Sequence, residues 1–446
     1  MNAPSKPVRL LAAASVAITM SACVSAPVTA QASPAAAVVG PAIPDSPAGR
    51  QLTWILDAVN RTPVPESELK EHFTADFLTN IPPDQINQAL AMYAGLRMER
   101  IVRNEENSLV ARSTVGGVRY DVALSVDGAG LIEGLLFQAV APGSWDEIDE
   151  RLTRIAPQTG FLAAELTGDG RCRPVHEVAA EKSRPLGSMI KLYVLGALAE
   201  AVKNGRLSWD TELTITPEPK SLPVGELGGR PDNSKVSVLE AAKLMISISD
   251  NTATDLIIHA VGRKAVERTM REWGARDKRN VPLLTTRDLV VLKGADYPRH
   301  ADRYLRMNDA KQRDYLRRVV AEVPLSQVTL WQEPRALNTV EWFASPTEIC
   351  RAYAGLVKLG DARIHEVMSI NDAGLGLDRT AWPRVWFKGG SEPGLAAMSF
   401  LARNASGKSY VVVGVSADPK GSITGLEQLQ QPAVARAAFT LAARAE

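Results

Sequence analysis

At 446 residues, 45% apolar and 23% charged, the chain is long enough for two folded domains with ordinary cores, and disorder is not its default state. The formal net charge is +1, and residues 1–22 hold Lys6 and Arg9 but no acid, so losing them tips the balance slightly acidic. That excludes the electrostatic footprint of a nucleic-acid binder. Residues 1–22 read as an export signal, because Lys6 and Arg9 precede an apolar run, Leu10 to Met20, too short to span a bilayer. Met20-Ser21-Ala22-Cys23 resembles a bacterial lipobox, with Cys23 as the lipidated first residue of a periplasmic or membrane-anchored lipoprotein. Plain cleavage after Ala30 or Ala32 is the alternative. Residues 23–49, rich in Ala, Pro, Ser and Val, form a flexible linker.

Residues 50–141 are expected to fold as a small α+β domain. Helical patterns cover Leu52 to Asn60 and Pro83 to Leu96, and three strands follow. In the clearest of them Val118, Tyr120, Val122, Leu124 and Val126 alternate between Gly116-Gly117 and Asp127-Gly128 turns. From residue 150 to 446 the pattern predicts strands at Gly160–Leu166, Val385–Lys388, Ala396–Ala402 and Tyr410–Val415. A long helical insertion separates the first from the others, and a last amphipathic helix spans about Gly425 to Arg444. Helices inserted into and packed on an antiparallel sheet define an α+β class. In an exported protein Cys172 and Cys350 are able to pair, but the apolar helical setting of Cys350 and their distance in sequence favour separate thiols.

Three short motifs carry chemistry. Ser188-Met189-Ile190-Lys191 opens a helical run to Lys203 that has no polar face, so the helix is buried and Lys191 is its anomaly. Burial favours a neutral amine, and spacing i, i+3 puts that amine on the helix face of the Ser188 hydroxyl, the makings of an activated nucleophile. Ser249-Asp250-Asn251 lies on a turn between two apolar helices, with Thr252 and Asp255 suggesting a capping box. Lys388-Gly389-Gly390 ends the strand of Trp386 and Phe387. Each motif alone is weak, as Ser369-Ile370-Asn371 and Lys203-Asn204-Gly205 show by fitting the second and third patterns. No H-E-x-x-H or G-x-S-x-G occurs, so neither a zinc site nor an α/β-hydrolase elbow is indicated, and no metal or cofactor is expected.

In their order these motifs resemble S-x-x-K, S-D-N and K-T-G of the class A β-lactamase and penicillin-binding-protein family, from about Gly160 to the C-terminus. The resemblance implies a β-lactamase/transpeptidase-like fold and a serine hydrolase working through an acyl-enzyme, with β-lactam hydrolysis first. Ester hydrolysis or D-alanyl-D-alanine peptidase activity on the same site, or a non-catalytic envelope-binding lipoprotein, are the alternatives. It assigns Ser188 as nucleophile, Lys191 as proton acceptor, Ser249 as donor to the leaving nitrogen, and Asn251, Lys388, Gly390 and Ser391 as substrate-binding residues. The amides of Ser188 and Ser391 would form the oxyanion hole. Gly389 replaces the family's hydroxyl residue, which weakens carboxylate recognition. The deacylating glutamate is matched by Glu333 in Trp331-Gln332-Glu333-Pro334-Arg335-Ala336-Leu337-Asn338, one residue too long, with Glu341 as rival. The arrangement of lipoprotein signal and two domains resembles actinobacterial lipoproteins and a protein of the clavulanic acid cluster, whose first domain looks like a steroid isomerase or polyketide cyclase. The expected partner is a small molecule, and a membrane only through Cys23.

Overall fold

The computed structural model describes residues 42–423 and 425–444. The expected export signal, Cys23 and most of the expected 23–49 linker lie outside the described residues. Among the described residues no helix is long and apolar enough to cross a membrane.

Two compact units emerge, the smaller comprising, of the residues described, 42–142 together with 425–433. It begins with helices α1 (Pro47–Ala58), α2 (Glu66–His72), α3 (Ala75–Asn80) and α4 (Pro83–Met92). Ser46 caps α1 by accepting from the Gly49 amide, and Pro47 sits in the first turn where its missing N–H is no loss. Strands β1 (Arg97–Asn104), β2 (Ser108–Val115), β3 (Val118–Val126) and β4 (Ile132–Ala139) pair in sequence order as an antiparallel sheet. That is one strand more than the sequence predicts. Alternation along β3 turns Val118, Tyr120, Val122, Leu124 and Val126 inward onto Leu52, Ile55 and Leu90 of the helices.

The larger unit holds residues 143–423 and 434–444 of those described. Its first elements are α5 (Trp145–Ile155), β5 (Gln158–Leu166), β6 (Cys172–Val178), the two-residue β7 (Arg184–Pro185), α6 (Lys191–Lys203) and β8 (Glu212–Thr214). The helical insertion continues through β9 (Lys235–Ser237), α7 (Val238–Ser247), α8 (Asn251–Val261), α9 (Arg263–Glu272), α10 (Thr286–Gly294), α11 (Arg299–Leu305) and α12 (Asp309–Tyr315). After β10 (Phe343–Ala344), α13 (Pro346–Leu359) and α14 (Ala362–Met368), the chain returns to the sheet as β11 (Arg384–Glu392), β12 (Leu395–Arg403) and β13 (Ser409–Ala417). The last helices are α15 (Gly425–Gln428), in the smaller unit, and α16 (Gln431–Arg444). The five-stranded sheet has the order β11-β12-β13-β5-β6, every pair antiparallel. The class is therefore α+β, a sheet with a long helical insertion.

Two features depart from the sequence reading. Strand β6 has no apolar alternation because it is an edge strand, with Pro174 at an irregularity in its pairing to β5. And Cys172 and Cys350, expected as separate thiols, form a disulfide with their Cα atoms 6.3 Å apart. Helix α13 packs on β5, β6 and β13, so its buried Cys350 meets the first residue of β6 although 178 residues separate them in the chain.

Candidate active site

The nucleophile turn is built by close packing of glycine against backbone. Residues Gly187–Ile190 form a 3₁₀ turn that runs into α6, and Gly187 takes φ +51°. A Cβ on Gly187 would lie 3.0 Å from the Ser391 amide nitrogen, and one on Gly390 would lie 2.2 Å from the Leu186 carbonyl oxygen and 2.6 Å from the Ser188 amide nitrogen. Only glycine fits either place. The packing brings the amides of Ser188 and Ser391 to one crevice between the turn and β11, where two N–H groups can stabilise a developing oxyanion. The Ser188 hydroxyl is half-buried beside it. It makes no hydrogen bond among the described residues, so the Ser188–Lys191 bond implied by their spacing is not formed here.

Lys191 is fully buried at the start of an apolar helix, and its amine faces Ser249 O at 2.5 Å, Ser249 Oγ at 3.0 Å and Asn251 Oδ1 at 2.8 Å. Burial, reinforced by the charge of Lys388, holds this amine well below the ordinary lysine range. Lys388, 2% exposed, donates to the same Ser249 Oγ at 3.1 Å and to its neighbour's carbonyl, Gly389 O, at 2.8 Å. Burial lowers its pKa to about 7. One hydroxyl thus lies between two amines, neither of which is bound to be charged at neutral pH.

The turn carrying Ser249 is held rigidly. Ser249 has φ +61°, a left-handed conformation that a non-glycine residue keeps only when its surroundings impose it. Asp250 imposes it, its buried carboxylate accepting from the amides of Glu226 at 2.6 Å, Leu227 at 2.9 Å and Ala253 at 2.8 Å. Asp250 is therefore the N-cap of α8, and the expected capping box of Thr252 and Asp255 is not formed. Asp255 instead accepts from the amides of Thr286 and Arg287. Asn251 donates to Leu222 O at 2.7 Å while its oxygen holds Lys191, which fixes the direction of its amide.

Ser188, Lys191, Ser249, Asn251, Lys388, Gly390 and Ser391 are thus gathered around one crevice. Glu333 is not. It is exposed, and its nearest polar contact is the Ser422 hydroxyl at 3.5 Å. Its rival Glu341 is 2% exposed and lies 3.4 Å from the buried amine of Lys293, which also meets Glu392 at 2.6 Å. The sequence reading missed Asp250, Lys293 and Glu392. Lys293 had a signal like that of Lys191, a lysine that directly follows the apolar run Leu289 to Leu292 on a helix. Glu392 had only its place on the strand of Lys388. Among the described residues no group of three or more His, Cys, Asp or Glu is placed to hold a metal.

Residues 144–319 match the family described as the beta-lactamase enzyme family. The larger unit, which contains that stretch, accordingly has a β-lactamase/transpeptidase-like fold. Residues 43–132 match the family described as the N-terminal part of the ORF 12 gene product. No curated protein matches the chain. Among solved structures it is similar to PBP-A, at 19% identity and TM-score 0.45 over 68% of this chain and 100% of that one. It is also similar to a β-lactamase from Sphaerobacter thermophilus, at 18% and 0.46 over 68% and 98%, and to one from Chitinophaga pinensis, at 17% and 0.45 over 68% and 98%.

Proposed function

We propose that the larger unit is a serine hydrolase that works through an acyl-enzyme on Ser188, with β-lactams as its first substrate class. The observation that carries this reading is the Ser249 hydroxyl set 3.0 Å from one buried amine and 3.1 Å from another. A neutral Lys191 has two N–H groups for Ser249 O and Asn251 Oδ1, which turns its lone pair towards the Ser249 hydroxyl 3.0 Å away, ready to take a proton. Spacing i, i+3 puts Ser188 on that side. As Ser188 Oγ attacks the substrate carbonyl its proton passes to Lys191, and the two amides of the crevice take the oxyanion. Ser249 then hands a proton to the departing nitrogen and is refilled from Lys191 or Lys388.

A second reading, ester hydrolysis, is favoured by the position of Gly389. A Cβ there would lie 2.9 Å from the Phe387 ring, so an aromatic edge stands where a threonine hydroxyl would meet a substrate carboxylate. Acyl compounds without that carboxylate suit the site at least as well. Export is part of the same proposal, since a disulfide such as Cys172–Cys350 persists in an oxidising compartment. The lipid anchor on Cys23 and the small domain of residues 50–141 belong to it without a structural argument of their own.

The test is intact mass after incubation with benzylpenicillin, a p-nitrophenyl ester and a fluorophosphonate. We expect an adduct on Ser188 with at least one of them and none in Ser188→Ala. Absence of any adduct would remove the enzyme reading, and faster turnover of the neutral ester than of a cephalosporin would select the second.

A further inference from the structure

Lys293, Glu341 and Glu392 form a buried cluster that takes no direct part in the acylation chemistry. The Lys293 amine, near the end of α10 and fully buried, lies 2.6 Å from Glu392 Oε1 and 3.4 Å from Glu341 Oε2. Burial pushes the Glu392 carboxyl well above the usual carboxylate range; the charge of Lys293 opposes this, while the charge of Glu341 and a hydrogen bond to it add to it. A protonated Glu392 between a lysine and a glutamate leaves the cluster without net charge, so it closes on itself.

An ion cluster so far from water is a poor way to stabilise a fold, because apolar side chains of the same volume often do as well or better. What it offers is geometry, since charge-assisted hydrogen bonds are short and fix the segments that carry them. The segments held here are the two walls of the oxyanion crevice. Glu392 directly follows Ser391 on β11, and the Ser391 amide is one donor. Glu341 directly precedes Trp342, whose carbonyl accepts from the Leu186 amide at 2.8 Å. Leu186 leads into the turn of Gly187 and Ser188, and the Ser188 amide is the other donor.

Both walls need such a tie. Strand β11 is the edge of the five-stranded sheet, and among the described residues no strand pairs with it on its other side. Gly187 and Gly390 allow the walls to approach, but a glycine does not stop them from drifting apart. Lys293 is itself a fixed post. Its carbonyl accepts from the Arg335 guanidinium at 2.8 Å, and the carbonyl of Gly294 accepts from the Thr329 amide at 3.0 Å.

We propose that Lys293 is a positioning residue for the oxyanion crevice: by binding Glu392 and Glu341 at once it sets the separation of the Ser188 and Ser391 amides, and with it the rate at which Ser188 is acylated. The inference rests on the acyl-enzyme reading of that crevice. Lys293 touches neither substrate nor reacting atoms, and no proton moves through the cluster. Glu392 works as a neutral acid that accepts from Lys293 and donates to Glu341, so a glutamine, with an oxygen and an NH₂ in those places, serves equally well.

The experiment follows adduct formation on Ser188 by intact mass over a range of concentrations of benzylpenicillin, the p-nitrophenyl ester and the fluorophosphonate, which separates binding from the covalent step. The proteins are the unmodified one, Lys293→Met, Glu392→Leu and Glu392→Gln. In Lys293→Met and Glu392→Leu we expect the covalent step to slow by about 10²-fold, the size expected for one misplaced oxyanion donor, with binding within about threefold. Glu392→Gln should stay within about threefold in both. The carbonyl stretch of an acyl adduct, or the phosphorus resonance of a phosphonyl adduct, should move towards its value in the denatured adduct in the first two variants only. A role confined to stability would lower the melting temperature and leave both readouts unmoved in protein that is still folded, and that result would overturn the proposal. So would a loss in Glu392→Gln as large as in Glu392→Leu. Adducts formed equally fast in all the proteins would overturn this inference alone, whereas no adduct in the unmodified protein would overturn the acyl-enzyme reading with it. Should Lys293→Met, which leaves two acids without a cation, fail to fold, Glu392→Leu decides, because it leaves the Lys293–Glu341 pair balanced.

Discussion

Lys388 and Lys191 share the Ser249 hydroxyl, and their burial makes the stability of the larger unit depend on pH in a definite direction. An unfolded lysine takes up its proton below about 10.5, whereas folded Lys388 does so only near 7. Between those values the unfolded state binds more protons, so stability rises with pH across the window and is lost on acidification through it. For Lys388 the whole window is worth at most about 5 kcal/mol. Lys191, also held well below the ordinary lysine range by its burial, acts in the same sense. Urea midpoints should therefore climb between about pH 7 and 9.5, and less steeply in Lys388→Met; parallel curves for the two proteins would show that Lys388 is not the group responsible. Of these residues Lys191 was legible in the sequence because an all-apolar helix leaves a lysine no solvent face, and Lys388 because its motif falls late in the chain. The pairing of both on one hydroxyl was not, since it depends on the left-handed turn at Ser249 that Asp250 holds in place.

At the scale of elements the organising piece is β11, which aligns Lys388, Gly390 and Glu392 on one face and presses the second of them against the nucleophile turn. The sequence indicated this strand through its apolar residues but stopped it at Lys388, where those residues end. The structure continues it to Glu392, and the glycines are there for approach and not for bending. Gly390→Ala should be severe for a defined reason. Its methyl would strike Leu186 O at 2.2 Å and Ser188 N at 2.6 Å, both backbone atoms that cannot swing aside. The strand must then retreat and open the gap between the Ser188 and Ser391 amides, so acylation by a fluorophosphonate should fall by about 10²-fold or more. Ser391→Ala keeps both amides and should stay within a few-fold. Equal losses in the two variants would show that side chains and not the crevice matter. Helix starts were less legible. Thr252 and Asp255 have the spacing of a capping box, yet Asp250 caps α8 and frees Asp255 to bind the first turn of α10, a long-range choice that local spacing does not encode.

For the whole molecule, the β-lactamase-like order of motifs could be read from the sequence alone, because it depends on local patterning. The Cys172–Cys350 bond could not, since it joins an edge strand without alternation to a helix 178 residues away. Its role follows from what α13 touches. Besides Cys350, this helix carries Tyr353, whose hydroxyl meets Ser399 O at 2.8 Å and Ser399 Oγ at 3.0 Å, and Ser399 Oγ in turn donates to Lys388 O at 2.8 Å. Tyr193, from the helix of Lys191, donates to Glu348 O on the same α13. The disulfide therefore pins the helix that backs both lysines, although it touches neither. Closing so long a loop restricts the unfolded chain, so replacing the pair by serine should lower stability by about 2–5 kcal/mol. The native contacts that place Ser188, Lys191 and Lys388 do not involve the sulfurs, so acylation well below the melting temperature should change by no more than a few-fold. Guanidinium melts of Cys172→Ser/Cys350→Ser beside the oxidised protein, with the fluorophosphonate rate measured at low temperature, separate the two effects. Unchanged melting would mean that the bond closes a region already fixed in the unfolded chain, and a lost acylation rate in a folded variant would show that α13 must be held covalently for the lysines to keep their places.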